Sequence, residues 1–362
     1  MTAFYATIVS TYFCSIFSRV ADEKNRKVFS IFFIALVSII LVLISGARNN
    51  IGDTVFYKHS YNLLVQNPNS FKFDGDFALN LLSLLLINVS TNPQILIFVV
   101  ALITNILNVI VFYKYRSYLE LQIYIYITSG YYIITMNGIR QCLAASLLFL
   151  CTKFIVNGEF KKYAISVLLI STIHQSAIVM IPLYFIFRSK AWSKTTFIMI
   201  FFALIGAVFF NKTMEIFYSL IKNSNYAQYQ NFNEGGSSFM RTIVNSVPVI
   251  LAYLTRDKLK KKWPESDILV NISLINLFFV AFGMFNWIFN RFTLYLQLYN
   301  FILIPYIIKN CLKGKERRLV YIGFLMCYFI FFFREQVIGQ NMQYTSEYLD
   351  FNKIFYKSVG VE

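Results

Sequence analysis

The sequence is short of charge and of histidine. Charged residues make up 14% of its 362 residues and hydrophobic residues 57%, and two residues are histidine. Soluble domains are about one quarter charged. No segment between the apolar runs has the composition of a soluble domain, and none of the Walker A, GxSxG and HExxH motifs of soluble enzymes occurs. The composition therefore excludes a soluble enzyme built on those motifs.

Cysteine is also scarce, and its placement argues against disulfides. The five cysteines lie within or beside apolar runs: Cys14, Cys142, Cys151, Cys311 and Cys327. None falls in a long polar segment of the kind that carries disulfides in secreted proteins, so we expect no disulfide framework. The first apolar run, residues 2–17, lacks a preceding basic residue and a cleavage site, which predicts a retained helix instead of a signal peptide.

What the chain contains instead is a series of apolar runs separated by short basic gaps. The run "VFSIFFIALVSIILVLIS" (residues 28–45) is about as long as a bilayer span requires. The net charge is +16, and basic residues cluster in gaps such as "TRDKLKKKW" and "KNCLKGKERR". Because Lys and Arg concentrate in cytoplasmic loops, this charge predicts topology, and we expect no nucleic-acid partner.

This pattern predicts an all-α, polytopic integral membrane protein with about ten transmembrane helices plus re-entrant half-helices. We expect a single transmembrane helical domain over residues 1–362, without internal repeats. If the basic gaps are cytoplasmic, both termini lie outside. Extracytoplasmic loops are then expected near residues 46–76 and 211–241, and an extracytoplasmic tail over residues 334–362.

Between two cytoplasmic gaps the chain must cross the membrane an even number of times. Two apolar runs do not fit this count if each is taken as one full crossing. Residues 77–89 are too few for a full crossing, and residues 163–187 have the length of one span between two gaps that are both basic. Two half-helices meeting at "HQSA" resolve the second case and place His174 in an outward-facing cavity within the membrane. A crossing is expected over residues 118–136, followed by an outer turn at "NGIRQ".

Few basic residues face outward in this topology, and the arginines among them lie at or near the ends of apolar runs. They are Arg48, Arg140, Arg241, Arg291 and Arg334. An arginine next to hydrocarbon is costly unless it has a partner. Each one is expected to snorkel to the interface, to pair with a nearby acid as Arg48 would with Asp53, or to converge with others on a lipid phosphate or diphosphate.

The segment "NGIRQCLA" holds the strongest of these candidates. The expected outer turn contains Asn137, Gly138, Arg140 and Gln141. An arginine that only snorkels to the interface does not require neighbouring polar residues. Guanidinium groups bind phosphate oxygens through two parallel hydrogen bonds. We therefore expect this turn to contribute to an anion-binding site.

Two residues compete for the role of general base. His174 lies at the expected membrane break, and imidazole takes up a proton near neutral pH, although a hydrogen-bonded structural histidine is the alternative. Asp53 is the rival, but a carboxylate beside arginines is held ionised and suits pairing. His59 is expected to be a loop residue. The "DGD" at Asp74–Asp76 matches weakly an acidic metal motif of lipid-linked sugar transferases, and a solvated turn is the other interpretation.

Four stretches carry a resemblance to a known family. They are "GARNNIGDTVFYKHSY" after the second helix, "MNGIRQCLAASLLF" in mid-chain, "IHQSAIVMIPLYF" soon after it, and "NRFTLYLQLYNFILIP" near the end. In their order and spacing the chain resembles the EpsG-like branch of the Wzy-type polysaccharide repeat-unit polymerases over nearly its whole length. The first-loop pattern of that family reads Gly-Thr-Asp, where this chain has Gly52-Asp53-Thr54.

The resemblance implies a glycosyltransferase of the bacterial inner (plasma) membrane whose active site faces the periplasm or cell exterior. Such enzymes join oligosaccharide repeat units carried on undecaprenyl diphosphate, for O-antigen, capsule or exopolysaccharide. By this resemblance His174, Asp53 and Arg140 are catalytic, and the arginines hold the diphosphate leaving group. The substrate-binding residues are then Arg48, Tyr57, Asn137, Gln141, Arg241 and Arg291. No cofactor and no metal is implied, and the further partners are membrane lipids, a chain-length regulator and a flippase of the same pathway.

Three other functions fit the same features. A lipid-phosphate sugar transferase would depend on a metal at Asp74 or Asp76. An O-antigen or wall-polymer ligase would use the same donor with a different acceptor. A flippase for a lipid-linked oligosaccharide would carry charged residues along a path to the cytoplasmic side, whereas here they are expected to collect at one face. The sequence names neither the sugars nor the linkage.

Overall fold

The computed structural model describes residues 1–70, 75–209, 212, 219 and 236–349, which form helices and their connections with no β-strand among them. This described part of the chain falls into two compact units. The first unit contains residues 1–150, residues 172–174 and those from residue 313 onward. The second contains residues 151–171 and 175–312.

The α-helices form where the apolar runs lie. In chain order they are α1 (Thr2–Glu23), α2 (Lys27–Gly46), α3 (Thr54–Gln66), α4 (Phe77–Ile87), α5 (Gln94–Lys114), α6 (Leu119–Thr128), α7 (Tyr131–Asn137), α8 (Ile139–Leu150), α9 (Thr152–Val156), α10 (Phe160–Ser171), α11 (Met180–Phe187), α12 (Lys194–Val208), α13 (Phe239–Leu254), α14 (Arg256–Lys262), α15 (Ser266–Phe282), α16 (Ile288–Thr293), α17 (Gln297–Asn310) and α18 (Gly314–Phe332). Short 3₁₀ turns cover Pro68–Ser70 and Gln175–Val179, and a π-helical turn, Phe333–Gly339, extends α18.

Among the described residues, three helices are long and apolar enough to cross a membrane: Lys27–Gly46, Gln94–Lys114 and Gly314–Gly339. Further apolar helices of 10–17 residues accompany them. Helix α2 exposes Val28, Phe29, Ile31 and Phe32, which suits a lipid-facing surface. The predicted all-helical membrane protein is thus confirmed, while the count of ten crossings stays a prediction.

The crossing expected over residues 118–136 is not one continuous helix. Helix α6 ends at Thr128, α7 begins at Tyr131, and Gly130 between them has a φ of 83°. That left-handed conformation favours glycine. A Cβ at Gly130 would also come within 2.6 Å of Gln336 Nε2. The helical structure over the predicted crossing is therefore interrupted at Gly130, and the crossing itself stays a prediction.

The segment expected as a loop near residues 46–76 contains helix α3, so His59 is a helical residue. Tyr57, Tyr61 and Leu64 recur at helical spacing in it, and Tyr61 and Leu64 are buried. Apolar side chains at i, i+4 and i+7 share one face of a helix. Burial of that face against the rest of the first unit explains why this polar stretch is ordered.

Two segments predicted on the outer side contact each other within the first unit. The Asn49 backbone N–H donates to Thr345 O at 2.9 Å, and the Ser346 hydroxyl donates to Ala47 O at 2.6 Å. Tyr344 donates its phenolic hydrogen to Ile44 O at 3.0 Å. The connection after α2 and the chain after α18 therefore lie on the same side of this unit.

Candidate active site

The centre of the candidate site is a hydrogen-bonded histidine–aspartate pair. His174 Nδ1 lies 2.7 Å from Asp76 Oδ2. Asp76 immediately precedes α4, and His174 lies in the break between the end of α10 at Ser171 and the 3₁₀ turn that begins at Gln175. The Ala78 backbone N–H donates to Thr172 O at 3.0 Å, which fixes the start of α4 against this break. Both side chains are therefore positioned by backbone that is itself held in place.

Arg140 contacts the same carboxylate. Its Nη1 atom lies 3.6 Å from Asp76 Oδ2, and its guanidinium carbon lies 6.0 Å from the centroid of the Tyr57 ring. The Arg140 side chain is 44% exposed, whereas that of Asp76 is 15% exposed. Burial raises the pKa of the Tyr57 phenol, and the nearby Arg140 opposes that rise. Arg140 thus contacts the nearly buried His174–Asp76 pair while part of its own side chain is accessible to solvent.

One hydrophobic cluster positions the functional side chains. Its buried members are Tyr61, Leu79, Leu96, Ile97, Val100, Ile139 and Leu143, and Ile173 packs against them. Ile139 directly precedes Arg140, and Ile173 directly precedes His174. Because side chains in a close-packed interior have little freedom to shift, Arg140 and His174 are held at fixed positions relative to each other.

Asn137 joins the connection after α2 to the α7–α8 junction. The Asp53 backbone N–H donates to Asn137 Oδ1 at 3.0 Å. Gly52 beside it has a φ of 54°, and a Cβ there would overlap the Asn137 amide. Glycine is therefore required at position 52 on both conformational and steric grounds. The side-chain oxygen of Asn137 thus makes an internal contact, and the predicted role of Asn137 in substrate binding stays a prediction.

Arg48 lies in a closed environment. It is 1% exposed, and its guanidinium donates to Met136 O at 2.7 Å, to Thr54 Oγ1 at 3.0 Å and to Ser45 O. Burial lowers the pKa of Arg48 to about 10, so it remains cationic at neutral pH. It makes no ion pair with Asp53 in the described part of the chain. These contacts favour a positioning role, and direct contact with an anion stays a prediction.

The remaining predicted residues are distributed between the units. Gln141 is buried in α8 of the first unit. Arg241 and Arg291 belong to the second unit, where the Arg291 guanidinium carbon lies 4.7 Å from the centroid of the Trp287 ring. The first unit thus gathers His174, Arg140, Tyr57, Asp53 and Asn137, as well as Arg48. The roles of Arg241 and Arg291 stay predictions.

Asp76 is a further functional candidate, and its contacts in the structure were not predicted from the sequence. The sequence offered it as part of a weak metal motif or as a solvated turn, and Asp74 of that motif lies outside the described residues. In the structure Asp76 contacts His174 and Arg140, an arrangement suited to proton transfer. The available signal was its position directly before a helix too short to cross the membrane.

Helices that expose apolar side chains around a histidine–aspartate–arginine cluster define the chain as an integral membrane protein with a candidate catalytic centre. The EpsG family model matches residues 31–348. The chain therefore belongs to the EpsG family, a family of Wzy-type polysaccharide polymerase-like membrane proteins. No curated protein and no solved structure matches it.

Proposed function

We propose that the protein is a membrane glycosyltransferase that polymerises undecaprenyl-diphosphate-linked oligosaccharide repeat units. Membership of the EpsG family supports the general activity. The single observation that carries the chemistry is the 2.7 Å contact of His174 Nδ1 with Asp76 Oδ2. Arg140 Nη1 lies 3.6 Å from the same oxygen. In this proposal the reaction takes place at the extracytoplasmic face of the bacterial plasma membrane.

The proposed base is the His174–Asp76 pair. With its proton on Nδ1 donated to Asp76, the imidazole would take up the acceptor's proton through Nε2, an atom that is buried in the described structure. The carboxylate fixes that tautomer and stabilises the imidazolium that forms, as in other acid–base pairs of this type. The acceptor sugar hydroxyl gives its proton to Nε2 as its oxygen bonds to the anomeric carbon of the growing chain. The bond from that carbon to the diphosphate breaks, and undecaprenyl diphosphate leaves with the electron pair.

The proposed role of Arg140 is to stabilise the leaving diphosphate. Negative charge grows on the diphosphate as the glycosidic bond breaks, and a fixed cation is most effective where charge develops. Arg140 is half-exposed and lies at the start of α8, so it can contact a ligand and Asp76 together. Arg241 and Arg291 are further candidates for the diphosphate. Asp53 is the competing base, and its exposed carboxylate suits the binding of hydroxyl groups.

The partners proposed with this activity are a flippase that delivers the lipid-linked unit and a regulator that sets chain length. A ligase with the same donor is the nearest alternative, because both reactions break the same sugar–diphosphate bond and differ in the acceptor. The flippase reading is weaker, because Arg140, His174 and Asp76 form one cluster at the ends of short helices.

The test uses purified protein in lipid nanodiscs with the purified lipid-diphosphate-linked repeat unit, without nucleotide sugar or added metal. A ladder of products on a gel supports the proposal. Transfer only when a different acceptor is supplied indicates a ligase. A donor that is not consumed in either case contradicts the proposal, and loss of activity with a chelator contradicts catalysis by side chains alone.

A further inference from the structure

Beside Arg140 the first unit contains a cavity of about 430 Å³. Helices α3, α4 and α5 supply most of its lining, and Arg140 of α8 completes it. The lining residues are Asp53, Phe56, Tyr57, Ser60, Tyr61, Leu64, Leu79, Asn80, Ser83, Leu96 and Arg140. Its volume lies within the range of roughly 300–1,000 Å³ typical of small-molecule sites.

Three polar side chains on the wall of this cavity are exposed and uncommitted. Asp53, Ser60 and Asn80 make no side-chain hydrogen bond or ion pair to any other described residue. A carboxylate accepts hydrogen bonds, a hydroxyl donates and accepts, and an amide does both through separate atoms. Together they match the mixed donors and acceptors of a sugar's hydroxyl groups.

The apolar part of the cavity is aromatic at its edge and aliphatic at its base. Phe56 is 73% exposed, while Tyr61 is buried and its hydroxyl donates to Ser90 O at 2.7 Å. Leu79 and Leu96 are buried beneath. An exposed phenyl ring next to hydrogen-bonding groups offers a flat apolar face. The C–H face of a pyranose ring complements such a surface.

We infer that this cavity binds a neutral pyranose at the non-reducing end of the acceptor. The inference rests on the proposed function and names the substrate class of the acceptor subsite. Arg140 contacts Asp76 and, in the proposed function, the diphosphate, which leaves the exposed carboxylate of Asp53 as the charge that the sugar meets. This carboxylate repels acidic sugars and accepts hydrogen bonds from neutral ones. Arg140 lines the cavity and its Nη1 atom lies 3.6 Å from Asp76 Oδ2, so this arginine connects a sugar bound in the cavity to the proposed base.

The specificity residues are then Phe56, Ser60 and Asn80, with Asp53 excluding acidic sugars. Changes at Asn80, Phe56 and Asp53 have distinct expected effects. Loss of the Asn80 amide or the Phe56 ring weakens binding of neutral sugars. Conversion of Asp53 to the neutral, isosteric asparagine removes the repulsion and admits a uronic acid. None of these effects is expected from residues that only stabilise the helices.

The experiment is saturation-transfer NMR on the full chain in nanodiscs, with methyl glycosides of neutral hexoses and with glucuronic acid as probes. We expect saturation transfer to at least one neutral glycoside and none to glucuronic acid. Asn80→Ala and Phe56→Ala should lower the signal several-fold, and Asp53→Asn should admit glucuronic acid. One matched control is Asn88→Ala, because Asn88 directly follows the last residue of α4, the helix that carries Asn80. The other is Val55→Ala, because Val55 is exposed on α3 outside the cavity.

The binding readout separates this inference from the proposed polymerase. If no neutral glycoside binds, or if the controls lower the signal as much as Asn80→Ala does, the inference is wrong even where the product ladder forms. If binding depends on Asn80 and Phe56 but the lipid-linked donor is never consumed, the saccharide subsite stands and the polymerase does not.

Discussion

The first unit contains two clusters of ionisable side chains, and they differ in their access to space. In one, Arg19 Nε donates to Glu120 Oε2 at 3.0 Å, and the Tyr321 hydroxyl donates to Glu120 Oε1 at 3.3 Å. In the other, Asp76 contacts His174 and Arg140. Glu120 is 1% exposed, whereas Arg140 is 44% exposed.

The comparison teaches that charge near hydrocarbon does not by itself define a site. The Arg19–Glu120–Tyr321 cluster joins α1, α6 and α18, and its carboxylate is occupied by groups of the same unit. The Asp76–His174–Arg140 cluster borders a cavity through its arginine. Intramembrane ionisable residues are functional candidates by default, and access to a cavity is what separates the second cluster from the first.

The largest expected effect follows from His174→Gln. The variant removes the proposed proton acceptor, and turnover should fall by about 10²–10⁴-fold, the usual contribution of a general base. The initial rate of ladder formation measures it. His59→Gln is the matched control, because His59 is exposed on α3 and lies outside the cavity lining. Equal activity in the two variants would remove His174 from the mechanism.

The next effect is that of Arg140→Ala on the same rate. Loss of one group that stabilises developing charge costs about 10²–10³-fold. Arg140→Lys should recover only part of it, since an ammonium lacks the planar fork of a guanidinium. Arg334→Ala, an exposed arginine of the π-helical turn, serves as the control. Full activity in Arg140→Ala would contradict the proposed role.

A third variant tests the comparison from the other cluster. Glu120→Gln removes the buried charge that pairs with Arg19, while Arg19 keeps its contact with Glu23 at 3.2 Å. We expect a loss of about 2–3 kcal/mol in the free energy of unfolding, as for a hydrogen bond to a charged group. Turnover per folded molecule should not change. Thermal unfolding in detergent reports the first quantity, and the ladder rate normalised to folded protein reports the second. A selective loss of turnover would make this cluster functional instead of structural.

The smallest of these effects is expected from Arg48→Lys. Lysine keeps the charge but cannot reach the acceptors at Ser45, Thr54 and Met136 together, so stability should fall by about 2 kcal/mol. The KM for the lipid-linked donor should stay close to that of the wild type if Arg48 only positions the chain. A large rise in KM with unchanged stability would instead support direct contact with the diphosphate.

The sequence predicted the helical membrane fold because the apolar runs of α2 and α5 are long enough to span a bilayer. It also selected Arg140 and His174, which the structure brings to one carboxylate. The contact of Asp76 with His174 was not predicted, because the two residues lie 98 positions apart and no local sequence pattern indicates it. The buried state of Arg48 was missed for the same reason, because its acceptors are mostly backbone carbonyls that any sequence supplies.

The most direct test of the central claim compares His174→Gln with Glu120→Gln in one assay. Both variants enter nanodiscs with the lipid-diphosphate-linked repeat unit, and the rate of ladder formation is normalised to folded protein. The account predicts a rate about 10²–10⁴-fold below wild type from His174→Gln and a rate close to wild type from Glu120→Gln. A ladder from His174→Gln at the wild-type rate would contradict it, because the cluster next to the cavity would then not carry the chemistry.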